Sequence, residues 1–118
     1  KRKYCKAVKY FNNAIENGCE SGYSKLAIYY RDIKKDTIKM FNILLQGEIN
    51  NDSESLYLLG NYYKTNCNYI DMIKCYQKGT DLENEQCIIE LSLYYLKENE
   101  ITIIQEDFKE NFYLEEKI

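Results

Sequence analysis

At 118 residues, 45% hydrophobic and 30% charged, the chain has apolar content for one packed domain or one stretch of a larger array, and too much for disorder. It contains no His, which removes the commonest general base and the commonest neutral metal ligand, and no Pro or Trp. The net charge is −3 and the pI about 5.1, which argues against nucleic acid, since its backbone demands dense positive charge.

The start, Lys1-Arg2-Lys3, runs into Tyr4-Cys5-Lys6 and not into an apolar segment, so it does not read as a signal peptide. Without an initiating Met, the chain reads as a fragment with sequence missing upstream. The first element, 1–18, carries Ala7, Phe11 and Ala14 on one helical face and stops at Gly18. From 20 to 50 the pattern predicts two helices. Tyr23, Leu26, Ala27 and Tyr30 make one buried stripe on the first. The second starts at the cap Asp36, places Thr37, Phe41 and Leu44 in line, and stops at Gly47. The turn between them reads about two residues short of the next copy's. From 53 to 84 the order returns behind the capping run Asn51-Asp52-Ser53, with Leu56, Leu59, Gly60 and Tyr63, then Met72, Tyr76 and Gly79. The last stretch, 85–118, follows Asn84 with Ile88, Leu91, Ser92 and Tyr95. A turn is then expected ahead of the capping box Thr102-x-x-Gln105, followed by Ile104 and Phe108. Asn111 stands where a small residue is expected, a decay that the end of an array tolerates.

The Tyr pairs 29–30, 62–63 and 94–95 recur at steps of 33 and 32 residues. The small residue beside each Leu (Ala27, Gly60, Ser92) leaves room for a crossing helix. These spacings resemble the tetratricopeptide repeat, with its L-G-x2-Y and A-x3-F signature, and the related Sel-one-like repeats. The best copy is 53–84; no copy has the signature Trp, and Asn84 stands where Pro is usual. The resemblance implies an all-α, right-handed superhelical solenoid of antiparallel helix pairs, about seven helices in all. It implies a single domain: a lone second helix at 1–18, then repeats at 20–50, 53–84 and 85–118. It also implies a scaffold or adaptor whose concave wall grips a peptide or helix of an unidentified partner protein. First-helix residues outside the buried stripe project onto that wall: Ser24, Ile28 and Arg31, then Tyr57, Asn61, Lys64 and Thr65, then Ile89, Leu93, Leu96 and Lys97. Arg31, Lys64 and Lys97 either clamp a partner's carboxylate or offset the helix dipole.

No Gly-rich phosphate loop, G-x-S-x-G or paired metal ligands appear, so no catalytic residue, cofactor or metal is expected. Cys5, Cys19, Cys67, Cys75 and Cys87 are odd in number with no C-x-x-C pair; they read as small buried groups in a reducing, cytoplasmic setting. Asn, Ile, Lys and Tyr have AT-rich codons, consistent with the genome of a protist or of a giant virus, which would place the chain in a host cytoplasm. No apolar stretch approaches the ~20 residues of a membrane span. Residues 1–40 hold 10 basic and 4 acidic side chains, and 41–118 hold 6 and 15. That polarity leaves head-to-tail self-assembly as an alternative to partner binding.

Overall fold

The computed structural model describes residues 2–18 and 21–116, with side chains at 6–18, 22–107 and 109. Within them are six α-helices and no strand: α1 Arg2–Glu16, α2 Ser21–Asp32, α3 Thr37–Ile49, α4 Ser53–Thr65, α5 Tyr69–Asp81 and α6 Glu85–Glu116. Each helix packs on the next in the chain; among the described residues α2 also meets α4, α4 meets α6, and α3 meets α5 through Glu48 and Lys78, 3.4 Å apart. The molecule measures 76 × 27 × 17 Å, with a radius of gyration of 20.1 Å. A compact domain of this length would have a radius of gyration of about 13 to 14 Å.

A 16-residue beat sets the helix boundaries. Lys35, Asn51, Cys67 and Glu83 all have left-handed backbone, with φ of 54°, 59°, 60° and 63°. Each is followed by a short polar residue: Asp36, Asp52, Asn68 and Asn84. The backbone N–H groups of Asp52, Asn68 and Asn84 reach back five residues, to the carbonyls of Gly47, Tyr63 and Gly79, at 2.8 to 2.9 Å. This closes the old helix and satisfies its orphan carbonyls. The side chain then opens the new helix. Asp36 accepts from the Lys39 amide at 3.1 Å, and Asn84 from the Cys87 amide at 3.0 Å. Asp52 departs from this: its carboxylate accepts from Ser55 Oγ at 2.5 Å, and burial pushes its pKa above the ordinary value.

The next beat falls on Asn99 and Glu100, and the helix runs straight through it. Glu100 is no substitute for the short caps at the earlier beats, and Leu96, Lys97 and Glu98 are good helix formers. Thr102, expected to open a new helix, lies inside this one; its hydroxyl donates to the Glu98 carbonyl at 3.0 Å. The two helices expected in 85–118 are therefore one 32-residue helix, and the described residues hold six helices where about seven were expected.

Leu26, Ala27, Met40, Ile43, Leu44, Leu59 and Cys75 form one buried cluster, with Phe11, Tyr23, Tyr30, Phe41 and Tyr63 half-buried against it. Met72, Tyr76, Cys87 and Leu91 form a second. Leu56 is buried, and Ala7 and Ala14 are half-buried. Tyr29 is more deeply buried than Tyr30. Glycines lie at the close crossings. A Cβ on Gly47 would strike Ser55, one on Gly60 the Tyr76 ring, and one on Gly79 Cys87. Gly47 thus sits inside α3 as a contact point and does not end it.

The matching contacts of Gly47 and Gly79 reset the alignment of the second helices. Met40, Leu44 and Gly47 correspond to Met72, Tyr76 and Gly79 at a constant step of 32. Thr37 and Phe41 lie three residues off that register, so the central turn is not short. Phe41 lies instead beside Tyr62 and Tyr63, with ring centroids 5.0 and 6.0 Å away. Four expected core residues are exposed: Ile88, Ser92, Tyr95 and Ile104. Their cause is shared. With no turn at Glu100, no following helix folds back over α6. The side chains of Phe108 and Asn111, and Cys5 and Cys19, lie outside the described residues. Among the described residues no helix is long and apolar enough to cross a membrane.

Candidate partner-binding groove

Two of the cavities between the described helices are alike in their walls. The first, about 340 Å³, lies between α2, α3 and α4. The second, about 500 Å³, lies between α4, α5 and α6. Most of their wall positions correspond, with Ala27, Ile28 and Ile101 unmatched. Arg31 precedes Lys64 by 33 residues. At a step of 32, Thr37 matches Tyr69, Met40 matches Met72 and Leu44 matches Tyr76. Across the opening, Asn61 matches Leu93, Tyr62 matches Tyr94 and Thr65 matches Lys97. The fold has therefore built the same hollow twice and lined it differently. The first wall is neutral at Leu58, Asn61, Thr65 and Asn66, whereas the second is apolar at Leu93 and charged at Glu90, Lys97 and Glu98.

One hydrogen bond joins the two hollows. Tyr76, in the second, donates its hydroxyl to Asn61 Oδ1, in the first, at 2.5 Å. Burial, followed by the nearby Glu90 carboxylate, raises the Tyr76 hydroxyl well above its usual pKa, so it remains a donor at neutral pH. The cations differ in their engagement. Arg31 is paired with its neighbour Asp32 at 2.8 Å, and that hydrogen bond holds the Asp32 carboxyl below its usual range. Lys64 reaches Glu90 of α6 at 3.4 Å. Lys97 makes no ion pair with the described residues.

Of the residues projected onto the groove, Ile28, Arg31, Asn61 and Thr65 line the first cavity, and Lys64, Leu93 and Lys97 the second. Four others lie elsewhere. Tyr57 is half-buried in the second cluster, its ring centroid 6.5 Å from that of Tyr76. Ile89 and Leu96 are exposed on α6 but line neither hollow. Ser24 is fully buried, donating to Glu54 Oε2 at 2.7 Å, because α4 crosses α2 at that point. First-helix reasoning missed Thr37, Met40 and Tyr69, which come from second helices; the 32-residue step between Met40 and Met72 is the signal that would have found them.

The chemistry of these walls is that of contact. Cys75 and Cys87 are buried, and desolvation pushes their thiols up to about 12 and about 11. No group of three or more His, Cys, Asp or Glu placed to hold a metal ion occurs among the described residues. No family model, curated protein or solved structure matches the chain.

Proposed function

We propose that this chain is a non-catalytic protein-interaction scaffold, a tetratricopeptide-like solenoid of antiparallel helix pairs. It holds an extended segment or helix of another protein along the groove. The observation that carries this reading is the recurrence of one cavity, in most of its wall positions, at consecutive helix pairs. A groove with repeated hollows suits a chain-like ligand, because successive side chains of an extended partner can enter successive hollows. The changing lining supplies selectivity: the first hollow favours a small polar group, the second an apolar group between Leu93 and Ile101 flanked by charges of both signs, Lys97 with Glu90 and Glu98. Helices that pack only on those next or next but one in the chain also suit a stacked array, in which each pair presents the same face.

The test is quantitative co-purification with wild type beside an Ile28→Asp, Arg31→Glu double variant. Both positions lie on α2, remote in sequence from α6. Circular dichroism of both proteins should be the same. Partners bound by wild type should fall at least tenfold with the variant. Equal recovery of the same partners would place binding on another surface.

A further inference from the structure

The outward face of α6 carries a spacing that the groove does not explain. Ile89, Leu93, Leu96, Glu100 and Ile103 follow one another at steps of four, three, four and three. At about 100° per residue they all fall within an arc of about 80°. The four apolar members are each at least half exposed. Cys87, Leu91 and Tyr94, which belong to the second cluster or pack on it, lie on the far side of the helix. From Tyr95 to Asp107 every side chain is exposed, and Ile101-Thr102-Ile103-Ile104 is a β-branched run of modest helix propensity. A helix of this kind draws its stability from contact along an apolar face. Steps of four and three are those of a coiled-coil seam.

The polar member of the seam and the charges beside it decide what fills it. In a parallel pair each Glu100 would press on the other, two like charges in an apolar layer. Reversing one helix removes that clash. With a two-fold axis crossing α6 between Tyr94 and Tyr95, Leu93 faces the partner's Leu96, and Leu96 the partner's Leu93. Glu100 lies over the partner's Ile89, towards the end of the seam. Lys97, which makes no ion pair with the described residues of its own copy, comes beside the partner's Glu90. The axis repeats that pair with the signs exchanged. Glu90 already turns to this flank, where it meets Lys64 of α4. We infer that the chain forms a closed two-fold dimer through this seam, with the two α6 helices antiparallel. A second copy is the occupant because the seam complements itself: its opposite charges meet when it is laid on its own reverse. Such an interface uses the same patch on both sides and stops at two copies. Leu93 and Lys97 border both the seam and the second hollow. The groove is therefore tested on α2 and the seam at Leu96, which lines neither hollow.

Sedimentation velocity over a concentration series should reach twice the 14.1 kDa of the chain and stop there, at low and high salt alike, because the centre of the contact is apolar. A mass of one chain at every concentration overturns the inference. So does growth beyond two copies at low salt, the mark of basic front meeting acidic rear. Leu96→Asp should yield monomers of unchanged helicity, since Leu96 is exposed in a single copy; a dimer surviving that change excludes the seam. Lys97→Glu sets two carboxylates side by side and should weaken the dimer several-fold; an unchanged dissociation constant excludes this register. Orientation is read by peptide mapping of disulfides in a Ser92→Cys, Asn99→Cys chain with Cys67→Ser. The reversed pairing brings 92 of one copy to the flank of 99 of the other, so the two should be joined between copies. Within one helix they are about 10 Å apart along the axis and cannot join. Links of 92 to 92 and 99 to 99 would show a parallel pair and end the proposal.

Discussion

Gly60 shows how much one missing methyl decides. Its helix crosses α5 so closely that a Cβ would enter the Tyr76 ring. That ring is fully buried, and its hydroxyl is tied to Asn61, so it has no room to swing away. Ala is favoured over Gly in a helix by about 1 kcal/mol. Overpacking a close contact costs ~1–3 kcal/mol, so the strain outweighs the propensity. Gly60→Ala should therefore lower the urea midpoint with an unchanged slope. An equal or higher midpoint would mean that the ring yields. The cysteines make a chemical counterpart. The thiolate is the reactive form, and burial lifts Cys75 to about 12 and Cys87 to about 11, with Glu48 and Glu90 adding to the respective shifts. Alkylation of the folded chain at pH 8 should modify exposed Cys67 before Cys75 and Cys87, which react only on unfolding. Labelling all three at one rate would contradict the packing described.

Helix ends, more than helix interiors, carry the architecture. Asn68 accepts from the Asp71 amide at 3.4 Å and donates to the Asp71 carboxylate at 2.7 Å, so it both opens α5 and ties down its first turn. Asn68→Ala should destabilise by about 1 kcal/mol, and Asn68→Gly by a few tenths. Denaturant titration distinguishes the two, and identical losses would argue that the cap is idle. The same ends explain what could be read from sequence. The Tyr pairs and the Leu-small dipeptides stand out because burial selects them, and they located α2, α4 and the first half of α6. The 16-residue beat is harder to see. Its left-handed positions are Lys35, Asn51, Cys67 and Glu83, with no glycine among them, and only the Asp or Asn that follows betrays the turn. Phe41 drew the second copy three residues out of register, because an aromatic looks like Tyr76 while the true counterpart is Leu44. The paired cavities escaped notice for that reason, since matching Met40 to Met72 requires the corrected step. The unbroken α6 was legible in principle: a Glu at position 100 is a missing cap.

At the scale of the molecule, locality of contact becomes a statement about cooperativity. Each helix leans on its neighbours, and among the described residues no contact links α1 to α5 or α6. If these helices stack as an array, stability is a sum of unit and neighbour terms, and damage at one end stays there. In a closed bundle every helix shares one core, and the same damage would loosen all of them. Phe11→Ala separates the two cases. Its side chain is half-buried against the first cluster from α1, at one end of the described helices. The loss of about 1 to 3 kcal/mol should appear as faster amide exchange in α1 and α2. The amides of α5 and of 85–97 in α6 should exchange as in the wild type. Exchange that accelerates equally from α1 to α6 would mean a single cooperative core. In that case the two cavities could not be treated as repeats of one wall, because a shared core leaves no independent units to repeat.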